Sequence, residues 1–130
     1  MTEYYAYWIS TALLSLLYLT SATMYLFKGS WVRQALGELG YHVAYLVPFL
    51  IVVKILGPLA ILSRVSVPLS DLAYAGMLFH LILAAFAHLG VRKPLEALPA
   101  IVGLVLLVMS FATQNDARNM PSPYFQAVVL

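Results

Sequence analysis

Four polar side chains lying in apolar stretches of this sequence, Lys54, His80, Ser15 and Tyr18, are the ones that could do chemistry. Lys54 is the sole charged residue between His42 and Ser63. An ammonium there can hold an anion, hydrogen-bond a quinone carbonyl, or carry a proton. The competing reading is a lysine that snorkels, loses its proton, or bonds backbone carbonyls inside a bundle. One such carbonyl is close at hand. Pro58 has no N–H to donate to the carbonyl of residue 54, so the helical ladder opens at the lysine itself. A lysine near mid-membrane costs ~2.5–3.5 kcal/mol on insertion scales, so its presence there points to a use.

"MLFHLILAAFAHLG" (77–90) adds two histidines, His80 and His88, with no charged residue near them. Eight positions apart on a helix, they stand about 12 Å apart along the axis and about 80° around it. They cannot ligate one metal or one haem iron. Two haems would need further axial ligands, for which His42 and the methionines are the candidates, so haem is disfavoured and no metal site is expected. Ala73, Gly76, Ala84 and Ala87 fall within about 40° of His80 at 100° per residue. That stripe predicts close helix approach, with His80 pointing into a bundle at about the depth of Lys54. His80 is then either a ligand-binding residue or a neutral histidine bonded across helices, worth ~0.6 kcal/mol. His88 falls near the headgroups, where an ordinary interfacial histidine is expected.

Thr11, Ser15, Tyr18, Ala22 and Tyr25 follow at three- and four-residue steps, a hydroxyl-bearing helical face. Ser and Thr in membrane helices commonly bond their own backbone instead. A four-helix arrangement nevertheless allows Ser15, Tyr18, Lys54 and His80 to converge on one polar pocket. No carboxylate is expected at their depth. Asp71 opens the third apolar stretch about 180° from His80, and Glu38 lies in the first loop. Two cations in such a pocket would repel. There is no Gly-rich phosphate loop, no GxSxG and no HExxH, so no soluble-enzyme chemistry and no intrinsic cofactor is expected, and catalysis stays open with the balance against it.

The elements that must carry these residues follow from composition. The chain of 130 residues is 63% hydrophobic and 9% charged, against about 45–50% and about 25% in a soluble domain. So much apolar surface needs lipid around it, and the lipid bilayer is the first partner. Cysteine is absent, which excludes disulfides and thiolate sites. Seven basic residues spread along the chain make no nucleic-acid patch.

A spanning helix needs roughly 20 apolar residues. Spans are expected at about 4–27, 42–63, 69–89 and 94–113, forming an all-α, antiparallel four-helix membrane bundle, residues 1–113, with a tail at 114–130. A cleaved signal peptide fits the first span poorly, because Glu3 replaces a basic start and the apolar run is too long. Tyr4, Tyr5, Tyr7 and Trp8 suggest an aromatic belt at one end of that span. Pro68 and Pro94 are placed to open helices, and Glu96 suits a helix start. "KGSWVRQALGELGY" (28–41) gathers Trp31, Val32, Ala35, Leu36 and Leu39 on one face, a short helix lying in the interface. In the tail, "YFQAVVL" is expected to dock on the bundle or on a partner. Lys28, Arg33, Arg92 and Lys93 against Arg64 and Arg118 put loops one and three in the cytoplasm and both termini outside.

"LGYHVAYLVPFLIVVKILGPLAIL" (39–62), "LAYAGMLFHLILAAFAHL" (72–89) and the short Pro-opened fourth span resemble the DoxX-like family of small bacterial membrane proteins, over roughly residues 4–113. The family pattern carries LGY before span two, KILG inside it, WAYAG opening span three and a terminal SHL. Tyr41, Lys54, Gly57, Tyr74, Gly76 and His88 match it. His42 stands where LGYP is usual, "SDLAYAG" replaces KEWAYAG, and His80 occupies a position where an acidic or other polar residue is expected. The lysine's usual counter-charge is then missing.

The resemblance implies a four-helix bundle in the bacterial inner membrane. The family takes its name from the small subunit of an archaeal thiosulfate:quinone oxidoreductase, and most members have no assigned activity. The expected function is an accessory or stabilising subunit that supplies a quinone or lipid pocket to a larger membrane complex, with other membrane subunits or further copies as partners. The alternatives are a stand-alone quinone-linked redox protein and a small-molecule carrier. Four spans without a repeat offer no evident alternating-access machinery for the last.

Overall fold

The computed structural model describes residues 2–41, 45–118 and 121–123, all of them helical or in connections. The elements are α1 (Thr2–Phe27), α2 (Gly29–Glu38), α3 (Leu46–Ser63), α4 (Val67–Gly90), a 3₁₀ turn (Pro94–Ala97) and α5 (Leu98–Ala117). Four helical segments are long and apolar enough to cross a membrane, the fourth including the 3₁₀ turn; α2 is too short and too polar. Leu16, Phe49, Leu56, Phe79, Leu83, Phe86 and Val105 stand exposed around the bundle, as lipid-facing residues must.

The long helices form a ring. α1 packs on α3 and α5, α4 packs on the same two, and α1 and α4 face each other diagonally. The core between them is Leu14, Tyr18, Ile61, Tyr74, Met77, Leu81 and Leu107. Gly103 lets α5 approach, since a Cβ there would come within 2.9 Å of Leu81 Cδ2 and 3.1 Å of Leu17 Cδ2.

Sequence chemistry fixes the helix ends. α2 closes in a Schellman turn: Gly40 takes φ +93°, its N–H meets Gly37 O, and Tyr41 N–H meets Leu36 O at 2.9 Å. The "LGY" signature is that turn. α4 closes the same way with Arg92 in the left-handed position (φ 61°), where Arg92 N–H meets Leu89 O and Lys93 N–H meets His88 O. At its other end Ser66 caps α4, accepting from Leu69 N–H at 3.4 Å, with Pro68 in the first turn.

Several expectations are corrected. α4 starts at Val67 and ends at Gly90, and Pro94 opens a 3₁₀ turn before α5 rather than α5 itself. α5 runs on to Ala117, because Gln114 is buried and accepts from Arg64 Nη1 at 2.9 Å, so the polar residues after 113 continue the helix. Tyr7 does not belong to the aromatic belt. It is fully buried, and its hydroxyl accepts from Arg118 Nε at 2.9 Å, leaving Tyr4 and Tyr5 exposed at that end. His42 and "YFQAVVL" (124–130) lie outside the described residues.

Candidate functional site

Lys54 projects from α3 towards α1, where its ammonium lies 5.3 Å from the ring centroid of Tyr18 and 4.9 Å from that of Tyr25. Two electron-rich ring faces take the place of a carboxylate around the cation. Tyr18 in turn places its hydroxyl 2.9 Å from His80 Nδ1 on α4 and 3.5 Å from Met77 O. The structure therefore brings three of the four sequence candidates together, from α1, α3 and α4. Ser15, the fourth, is buried on the same face of α1 but lines neither cavity that the other three share. It lies one turn before Tyr18, level with the packed core.

Those two cavities differ in character. One, of about 500 Å³, is an apolar groove between α3 and α4 that includes Phe49, Val53, Gly57, Gly76 and Leu83. The other, of about 430 Å³, lies between α1, α4 and α5 and holds Ser21, Tyr25, His88 and Glu96 as well as the cluster. Tyr18, Lys54 and His80 line both. An amphiphile whose apolar body lay in the groove would meet their polar atoms.

The groove exists because the small-residue stripe packs only in part: Ala73 and Ala84 rest against the core, but Gly76 between them does not. Gly76 is exposed, and a Cβ there would touch nothing within 4 Å. α4 packs mainly through Tyr74, Met77, Leu81 and Ala85, and bulk decides the outcome: the larger side chains fill the core while the small ones leave a depression beside it. His80 sits at the edge of that packed face, half-buried. Gly57, by contrast, is a true close approach, with Met77 Sδ 3.3 Å from where its Cβ would be.

The other family-pattern residues divide between two ends. Tyr41 closes α2 and is exposed. Tyr74 is buried and shares Ser110 with Thr11: both hydroxyls lie 2.6 Å from Ser110 Oγ. That network escaped the sequence reading, although Thr11 lay on the hydroxyl face already singled out. His88 stands with its Nδ1 3.5 Å from Glu96 Oε2. Glu96 reaches the cavity of Lys54 because the 3₁₀ turn folds back over the end of α4. Its nearness was not readable from helix depth, since it comes from a loop rather than a span. Lys93 nearby donates to Glu38 Oε2 at 3.0 Å, tying α2 to the third loop; this bond and the charges of Glu38 and Glu96 hold its ammonium above the ordinary lysine value.

At the other end Arg118 lies over Trp8 (4.7 Å) and donates to the carbonyls of Ile61 and Leu62 at 3.1 and 2.9 Å, satisfying the end of α3. Asp71 accepts from Ser122 Oγ at 2.9 Å, far from the cluster's polar atoms. Among the described residues no group of three or more His, Asp or Glu side chains is gathered that could hold a metal ion.

Four spanning helices in a ring, a short polar helix after the first and a lysine inside the second define a small multi-pass membrane bundle. The profile of the DoxX-like family matches residues 9–112, and the chain belongs to that family. No curated protein and no solved structure shows significant similarity to it.

Proposed function

We propose that this DoxX-like protein is an accessory subunit of a larger membrane complex and supplies it with a pocket for a quinone or lipid. The observation that carries the reading is the position of Tyr18, Lys54 and His80, where the apolar groove between α3 and α4 meets a polar cavity. Both candidate ligands pair an apolar body with hydrogen-bond-accepting oxygens. Lys54 donates to such an oxygen without first giving up a carboxylate partner. Tyr18 and His80 supply a second polar point whose donor and acceptor roles can exchange. The protein's own role is to bind and orient, with no catalysis by this chain.

The complex is placed in the bacterial inner membrane, with the α2 end cytoplasmic. Lys28, Arg33 and Arg92 are exposed at that end, whereas Arg64 is buried and Arg118 is committed to bonds within the bundle. The positive surface charge is therefore more one-sided than the sequence count of basic residues.

Gentle purification from native membranes, with every co-purifying protein and lipid identified, tests the reading. Stoichiometric membrane subunits together with bound quinone or lipid are the expected result. A lone protein carrying quinone would instead make it a stand-alone quinone-linked protein. The variant Lys54→Met should lose most of the bound ligand while still inserting. Unchanged ligand content and unchanged assembly in Lys54→Met would remove the pocket from the account.

A further inference from the structure

The cavity that holds Lys54 does not end at the histidine–glutamate pair. A second cavity of about 700 Å³ opens beyond it, walled by Trp31 and Gln34 of α2 and by Glu38 and Lys93. The two share His88, Glu96 and Pro99 as common lining. Polar groups therefore follow one another from the α2 surface inward: Glu38 and Lys93, then Glu96 and His88, then Ser21, Tyr25, Lys54 and His80. Water needs polar partners and room, and this branch offers both.

Among the described residues no polar branch leads the other way, since the groove that reaches Leu69 and Leu72 is apolar. Leu14 and Ile61 lie below the cluster, each 1% exposed. Beneath them Thr11 and Tyr74 each bond Ser110 at 2.6 Å, and Arg64 bonds Gln114. Ser70 Oγ, Asp71 Oδ1 and Gln114 Nε2 are buried at that end without a hydrogen-bond partner, but the packed layer of Leu14 and Ile61 stands between them and the cluster.

We infer that the Tyr18–Lys54–His80 site exchanges water and protons with one membrane face only, the face bearing α2, through a branch gated by His88 and Glu96. The site thus has two openings of different kind: the α3–α4 groove to lipid, and this branch to water. The inference deepens the proposed pocket, because a quinone or lipid head bound at Lys54 would be hydrated and protonated from the α2 side. The access itself stands whether or not a ligand is bound.

The absence of native cysteine makes the test direct. Single variants Ser21→Cys and Ala84→Cys line the inner cavity. Leu95→Cys and Val65→Cys, at residues 79% and 76% exposed, mark the α2 face and the opposite face. The full-length protein in membrane vesicles of both orientations is treated with a charged, membrane-impermeant methanethiosulfonate. This reagent attacks thiolates, so labelling reads water access and proton loss together. The expected result is labelling of Ser21→Cys and Ala84→Cys only in vesicles where Leu95→Cys labels, at least tenfold faster than where Val65→Cys labels. Adding Glu96→Trp should slow Ala84→Cys at least tenfold and leave Leu95→Cys unchanged. Equal labelling from both faces, labelling only with Val65→Cys, inner positions inert while both markers react, or no slowing by Glu96→Trp would each overturn the inference. A chain that binds no quinone or lipid yet labels from the α2 face would sink only the pocket's proposed occupant.

Discussion

The hydroxyl of Tyr18 lies 2.9 Å from His80 Nδ1 and so joins α1 to α4, two helices that face each other across the bundle and meet through side chains alone. The other diagonal, α3 to α5, is crossed by Arg64 Nη1 and Gln114 Oε1 at 2.9 Å. Each diagonal of the ring thus has a polar brace, one near mid-depth and one near the end bearing Arg118.

Tyr18→Phe removes the mid-depth brace and keeps the ring under Lys54. Side-chain hydrogen bonds in bilayers average ~0.6 kcal/mol and reach ~1.7. The variant should lose about 1 kcal/mol, measured by unfolding in mixed micelles. In a double-mutant cycle with His80→Phe the coupling should exceed ~0.5 kcal/mol. Strictly additive single effects would show that the two side chains do not act as a pair.

Ser110 serves two partners, Thr11 and Tyr74, both buried. Ser110→Ala removes the bonds to both hydroxyls in a dry layer and should cost about 1–3 kcal/mol, more than Tyr74→Phe, which leaves the Thr11–Ser110 bond in place. The same unfolding assay ranks them. If Tyr74→Phe proved the more harmful, the Tyr74 hydroxyl would be serving Tyr7 and Thr11 as well as Ser110, since the ring itself is kept in Phe.

How far the sequence could go is visible in these same residues. Apolar run length set the four spans, and the three- and four-residue spacing of Thr11, Ser15, Tyr18 and Ala22 marked the buried face of α1. Lys54 and His80 were legible as intramembrane polar residues because lipid makes such residues costly. Which face of α4 packs was not legible. Small residues and a core stripe of Tyr74, Met77 and Leu81 both have helical periodicity, and only the shapes of α3 and α5 decide between them. Glu96 was missed as a wall of the cavity because a 3₁₀ turn, not a helix register, carries it there. Tyr7 was misread because an aromatic at a helix end looks the same whether it faces lipid or, as here, an arginine from the far end of the chain.

Arg92 holds φ 61° at the end of α4, a conformation in which its Cβ crowds the backbone. Arg92→Gly should relieve that strain and raise stability by about 0.5–1 kcal/mol, part of the gain being offset by the freer unfolded chain. Arg92→Asn, which tolerates the left-handed region, should fall between the two, and Arg92→Val should destabilise. Thermal denaturation in detergent gives the order. A drop in stability for Arg92→Gly would mean that the side chain holds the loop more than the backbone strains it.

The Lys93–Glu38 contact gives a pH dependence whose sign is set by the lysine. Glu38 Oε2 accepts from its ammonium at 3.0 Å, and the charges of Glu38 and Glu96 add to the effect, so its pKa in the folded chain lies above the ordinary 10.5. A raised pKa means that the folded state holds the proton more tightly than the unfolded state. The contribution to docking of α2 is then complete below pH 10.5 and is lost as pH rises through the folded value, above 10.5. Both side chains are largely exposed, so the effect is modest and weakens with salt. Trp31 on α2 lines the cavity beside this pair and reports its state by fluorescence in a Trp8→Phe background. Tyrosine ionisation also alters the signal in this range, so the comparison is with Lys93→Gln. The expected result is an alkaline step in the parent that is absent from Lys93→Gln and is reduced by high salt. An identical profile in both would show that the lysine does not hold α2 against the third loop.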